Sequence, residues 1–138
     1  MNAIKYIFED ISFAEKTIQP KYKFVNFAKQ KNKQIKSISF IFCSDKYLQK
    51  INYKYLKHHD LTDVITFEYN ETNDLEGDVF ISIERVKENS KTFNVKFKAE
   101  LARVMIHGVL HLMDYNDKSE NEKSLMRKLE NEFLKNCI

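Results

Sequence analysis

The apolar positions of this chain fall into short alternating runs early and longer helical runs late. AIKYIFED, at residues 3–10, alternates well enough to predict a first strand. FAEKTIQPKYKFVNFAKQKN follows with helical spacing at Phe24, Phe27 and Ala28, and Pro20 is expected near a helix start. IKSISFIFCS alternates and is rich in β-branched residues, which predicts a second strand. In SDKYLQKINYKYL, Ser44 is a candidate N-cap, with Tyr47, Leu48, Ile51 and Tyr55 on one helical face. The loop KHHDLT leads to a strand in DVITFEY, the turn-rich NETNDLEG follows, and DVFISIE predicts a fourth strand. A short helix around 84–90, a long one over about 96–113 and a last one over about 119–136 complete the pattern. Early strands and late helices predict an α+β fold: about four strands in a mixed sheet, packed with several helices.

Composition sets the frame. At 138 residues, 43% hydrophobic and 31% charged, the chain reads as one soluble domain over 1–138. Gly77, Gly108 and Pro20 are the whole complement of glycine and proline, so each is expected to answer a backbone need. Cys43 and Cys137 stand far apart and form no paired-thiol metal motif, so both are expected to be reduced. The N-terminus places acids where a signal peptide keeps its apolar core, and no run is long enough to span a bilayer; a cytoplasmic protein is expected.

Charge divides the chain. The first 60 residues carry 12 lysines and no arginine against 5 acids, while the remainder carries 11 basic residues against 15 acids. A basic half suits a polyanion binder, and equally a lysine-rich solvated surface. Charge alone does not choose.

The stretch HGVLHLMDYND, residues 107–117, interrupts an apolar run twice with histidine. Residues i and i+4 share one helical face, so His107 and His111 can reach a single point and offer two nitrogens to a metal such as Zn²⁺. Asp117 lies too far along to join them unless the helix ends near Met113 and the chain turns back, which the Asp and Asn residues of DYND permit. Three such protein ligands leave a fourth position for water, as in catalytic zinc sites. The plainer readings are partly buried structural histidines and an Asp117 that caps the last helix with Glu120. Ser119 with Glu122 is a second candidate cap.

Context extends the motif. ELARVMIHGVLHLMDYND resembles the signature of the YbeY family, the zinc-dependent, single-strand-specific endoribonucleases of ribosomal RNA maturation. INYKYLKHHDLTDVITF is similar to a second family block at Asn52, Tyr55, Asp60, Thr62, Asp63 and Phe67. EGDVFIS is similar to a third at Gly77, Asp78, Ile81 and Ser82, and SLMRKLENEFL to the final helix at Met126 and Glu130. The four blocks run in order over residues 52–134.

The resemblance implies one Zn²⁺ per chain, with His107, His111 and Asp117 as metal-binding and catalytic residues on the penultimate helix and its turn. It also implies an RNA substrate, maturation of the 16S 3′ end, a role in ribosome quality control, and the small ribosomal subunit or its assembly factors as partners. No small-molecule cofactor is expected. Zinc would bring the pKa of water from near 16 toward about 7. Either that water or the RNA 2′-hydroxyl would attack the phosphodiester.

Three departures from the family pattern matter. The third histidine ligand is Asp117, which lowers the charge of the site by one. The glycine that ends the histidine helix is Asp114, expected to be strained or left-handed. The arginine thought to handle the phosphate is Leu56, so either Lys57 or a loop histidine such as His59 takes the anion contact or this stretch is only a solvated loop, with Arg103 a further substrate candidate. Arg103 could equally be an ion pair with Glu100. Two other classes stay open: a zinc metalloprotease-like hydrolase, disfavoured because Gly108 stands where such enzymes carry their glutamate base, and a non-catalytic ribosome assembly factor with structural zinc.

Overall fold

A computed structural model describes residues 3–57 and 62–137. Its elements follow the alternation closely: β1 (Ile4–Phe8), α1 (Lys21–Gln30), β2 (Ile35–Cys43), α2 (Asp45–Leu56), β3 (Val64–Glu68), β4 (Leu75–Ser82), α3 (Ile83–Thr92), α4 (Phe97–Leu112) and α5 (Glu120–Lys135). The fold is α+β, with one mixed sheet in the order β1-β2-β4-β3. β1 with β2 and β2 with β4 are parallel, and β3 runs antiparallel to β4 as an edge strand.

One boundary agrees with the sequence reading and one differs. Residues 13–20 hold only a 3₁₀ turn at Glu15–Thr17, and the α-helix begins after Pro20, whose fixed φ suits a helix entry. β4 starts at Leu75, inside the segment expected to be turn, because its backbone pairs with β2 on one side and β3 on the other.

Each face of the sheet has its own cover. The larger core gathers Phe24 and Phe27 of α1, Leu101, Met105 and Val109 of α4, and Met126 and Phe133 of α5 over Ile38, Phe40, Val79 and Ile81. On the other face Leu48 of α2 packs with Cys43 and Ile65, flanked by Ile51, Phe67 and Phe80. Leu48 is buried as its helical spacing predicts, but Tyr55 stays exposed and meets Phe67 edge-on with ring centroids 5.7 Å apart. Both cysteines are free, and burial pushes the Cys43 thiol up to about 12.

α4 is the central helix, buried almost all round. Both glycines exist to let it approach the sheet. An alanine Cβ at Gly108 would stand 2.6 Å from Val79 Cγ1, and one at Gly77 would stand 2.5 Å from the Phe67 carbonyl oxygen and 2.7 Å from Leu112. Neither glycine has a positive φ. The left-handed positions that end helices go instead to Asn32, Lys57, Asn94 and Asp114.

Candidate metal centre and cleft

From Glu100 to Met113, only Arg103, His107 and His111 of α4 are more than marginally exposed. They stand at i, i+4 and i+8, so a single stripe of the buried helix reaches the surface, and it carries the histidines.

The end of α4 shapes the rest. Asp114 takes φ 69°. Its N–H donates to the His111 carbonyl at 3.0 Å, and the Tyr115 N–H reaches back to the Leu110 carbonyl at 3.0 Å. That pair of bonds around a left-handed residue is a Schellman turn. Asn70, from the β3–β4 connection, adds a side-chain N–H to the Leu112 carbonyl at 3.1 Å. The aspartate in the usual glycine place is thus left-handed, as the sequence allowed. Reversing the chain here brings Asp117 back over the helix it has just left.

Both imidazoles are oriented from behind. His111 Nδ1 lies 3.0 Å from the Tyr115 carbonyl oxygen, which can only accept, so Nδ1 bears the proton and Nε2 presents a lone pair. His107 Nδ1 lies 2.7 Å from Glu130 Oε2 and donates likewise. The two Nε2 atoms are 2.9 Å apart, and Asp117 Oδ2 stands 3.3 Å from one and 3.6 Å from the other. Ligands held tetrahedrally at about 2.0–2.1 Å from zinc would be about 3.3 Å apart, so the donor set fits a small divalent cation. Three electron-rich atoms in such proximity repel one another unless a positive charge sits among them.

The electrostatics separate the histidines. Burial alone would depress His107, but the hydrogen bond and charge of Glu130, helped by Asp117, hold it above its ordinary value. His111 is pulled down by burial and by its neighbour His107. Behind them, Arg103 joins Glu130 at 3.1 Å and Glu100 at 3.2 Å. The ion pair expected of Arg103 with Glu100 is present, and Arg103 also braces the carboxylate that orients His107.

Asp117 does not cap α5. That task falls to Ser119 and Glu122, which form a reciprocal capping box. The three cluster atoms open onto a cleft of about 850 Å³, walled also by Asn52, Leu56, Thr66 and Lys118. Asp63 lines this cleft and an adjoining cavity of about 300 Å³, and burial pushes its carboxyl up more than His107 pulls it down.

Of the other substrate candidates, Lys57 occupies the left-handed end of α2 with its ammonium 5.7 Å from the Tyr53 ring centroid, and is not among the residues walling these cavities. His59 lies outside the described residues. Leu56 does face the cleft, 43% exposed. Sequence spacing missed Glu130 and Asp63 as site residues, although both stand in the motif blocks.

The family profile described as Endoribonuclease YbeY matches residues 4–137. The Endoribonuclease YbeY of Amoebophilus asiaticus is 48% identical over 137 residues, covering 95% of this chain and 90% of that protein. That of Flavobacterium psychrophilum is 54% identical over 104 residues, covering 75% and 74%. The solution structure of a Thermotoga maritima protein superposes with a TM-score of 0.68 at 26% identity, covering 96% of this chain and 87% of that one.

Proposed function

Because the chain belongs to the YbeY endoribonuclease family, we propose that it cuts single-stranded RNA in the cleft walled by His107, His111 and Asp117. One divalent ion, zinc by donor chemistry, would be held by those three residues. Residues 1–138 act as one metal-dependent hydrolase domain. The observation that carries this reading is the convergence of two oriented imidazole lone pairs and a carboxylate oxygen, all within 4.8 Å, on a cleft wall.

When bound, such an ion supplies Lewis acidity at a phosphoryl oxygen and brings the pKa of water from near 16 toward about 7. The chain's own residues do the rest. Glu130 and the Tyr115 carbonyl accept the Nδ1 proton of each ring, so that in the neutral tautomers both Nε2 lone pairs are aimed at one point. Asp63, a half-buried carboxyl lining the cleft, accepts the proton of the attacking water or 2′-hydroxyl. Leu56 gives the cleft an apolar wall where other members of the family place a cation, so the phosphate must find its positive partner elsewhere.

The biological substrate in this reading is ribosomal RNA, with maturation of the 16S 3′ end and ribosome quality control in the cytoplasm. The small ribosomal subunit or its assembly factors would be the partners. No helix among the described residues is long and apolar enough to cross a membrane. The test is cleavage of a single-stranded RNA by the purified protein. Activity should vanish on chelation and in His111→Ala, and zinc should restore the chelated wild type only.

Leu56 favours one second reading, a non-catalytic assembly factor with structural zinc. Metal-replete protein that binds the RNA without cutting it would select that reading. A protease is disfavoured, since position 108 lacks a carboxylate and has no room for a side chain.

A further inference from the structure

The second side of the metal centre is built by α5. Lys123, Arg127 and Glu130 stand at i, i+4 and i+7, one face of the helix, and with His107 and Asp117 they line a cavity of about 330 Å³. Arg127 also borders the adjoining cavity of about 300 Å³, whose wall includes Phe93.

The two arginines here differ in commitment. Arg103 sits between two carboxylates with its side chain 20% exposed. Arg127 is 60% exposed, and its partner Glu130 Oε1, 3.9 Å away, is already engaged by Arg103 at 3.1 Å. Lys123 is 58% exposed, 3.9 Å from the fully solvated Glu120. Exposed pairs at that separation contribute little, so both cations remain available to an anion. Phe93, 59% exposed on the same wall as Arg127, presents an aromatic face to solvent.

We propose that Arg127 and Lys123 bind the phosphate next to the scissile bond, with Phe93 stacking the unpaired base of that nucleotide. The subsite rests on the endoribonuclease reading and adds a direction to it. The RNA strand runs from the Leu56 cleft past the cluster into the cavities bordered by Arg127, all of which share His107 and Asp117. A guanidinium suits a phosphodiester because its fork donates two parallel hydrogen bonds. An aromatic beside it grips a single strand, whose bases are free to stack, and not a duplex.

Binding of a fluorescent single-stranded RNA to metal-free protein, and its cleavage by the zinc-loaded protein, are measured for wild type, Arg127→Ala/Lys123→Ala, Arg127→Lys and Phe93→Ala. The double variant should bind about 10- to 100-fold more weakly. It should also lower the slope of log affinity against log salt by about 0.7, the value for one neutralised phosphate on a single strand. KM should rise with kcat changed far less, zinc content should be unaltered, and Arg127→Lys should recover part of the loss. A neutral methylphosphonate beside the scissile bond should weaken wild type and leave the double variant unaffected. Wild-type cleavage matched by the double variant, with equal KM and salt slope, overturns the subsite alone. Wild type that neither binds nor cuts single-stranded RNA overturns the functional reading and the subsite with it.

Discussion

Glu130 of α5 accepts the Nδ1–H of His107 of α4 at 2.7 Å, joining the last helix to the candidate metal cluster through one partly buried hydrogen bond. The same carboxylate holds Arg103 at 3.1 Å, so its charge is balanced on the side away from the cluster. A carboxylate behind a histidine ligand fixes the ring tautomer and raises its basicity. Glu130→Gln is therefore expected to weaken zinc binding by about 10- to 100-fold while leaving the fold intact. Competition against a chromophoric chelator measures it, and unchanged affinity would reduce Glu130 to a structural partner of Arg103.

Asp117 reaches the cluster from a turn, not from the helix. Asp117→Ala is expected to lose near-stoichiometric zinc in elemental analysis, and Asp117→His to retain it, since imidazole is an equally good ligand. α5 should melt normally in both, because Ser119 and Glu122 cap it without Asp117. Equal metal in wild type and Asp117→Ala would remove the third ligand.

The two glycines predict a graded loss of stability. Gly108→Ala meets the stiff Val79 side chain, and about 1–3 kcal/mol is expected from overpacking. Gly77→Ala meets a backbone carbonyl that cannot rotate away, and it should cost more. Denaturant unfolding orders them, with Gly77→Ala the less stable.

At Asp114 the effect has the opposite sign. An aspartate at φ 69° gives up conformational energy that glycine does not, so Asp114→Gly should stabilise by about 1 kcal/mol or less. Thermal melting would show a rise of a few degrees. A fall would mean that the Asp114 side chain makes a contribution larger than its backbone strain.

In the proposed reaction Asp63 is expected to set the acid limb of the pH profile. A base acts when ionised, and burial moves this carboxyl above the 3.8 of a free aspartate. Activity should therefore rise with pH through an acid limb lying above the ordinary aspartate range. Asp63→Asn should abolish that limb and lower kcat by about 10²- to 10⁴-fold. A pH–rate profile that keeps the limb in Asp63→Asn would assign it to another group.

Local pattern decided much of this molecule. The four strands, the long penultimate helix and the His107–His111 platform were legible because side chains alternate along a strand and recur every three to four residues along a helix, whatever lies opposite. The family blocks located the same site, including the Asp117 position that spacing alone left open. Tertiary structure decided what spacing cannot carry. Asp117 joins the histidines only because a Schellman turn reverses the chain at Asp114. Glu130 orients His107 across 23 residues of sequence. The glycines serve not a turn but the approach of α4 to β3 and β4. Hydrogen bonds and close packing between distant segments depend on how whole elements are laid against one another, and no periodicity within either segment records that.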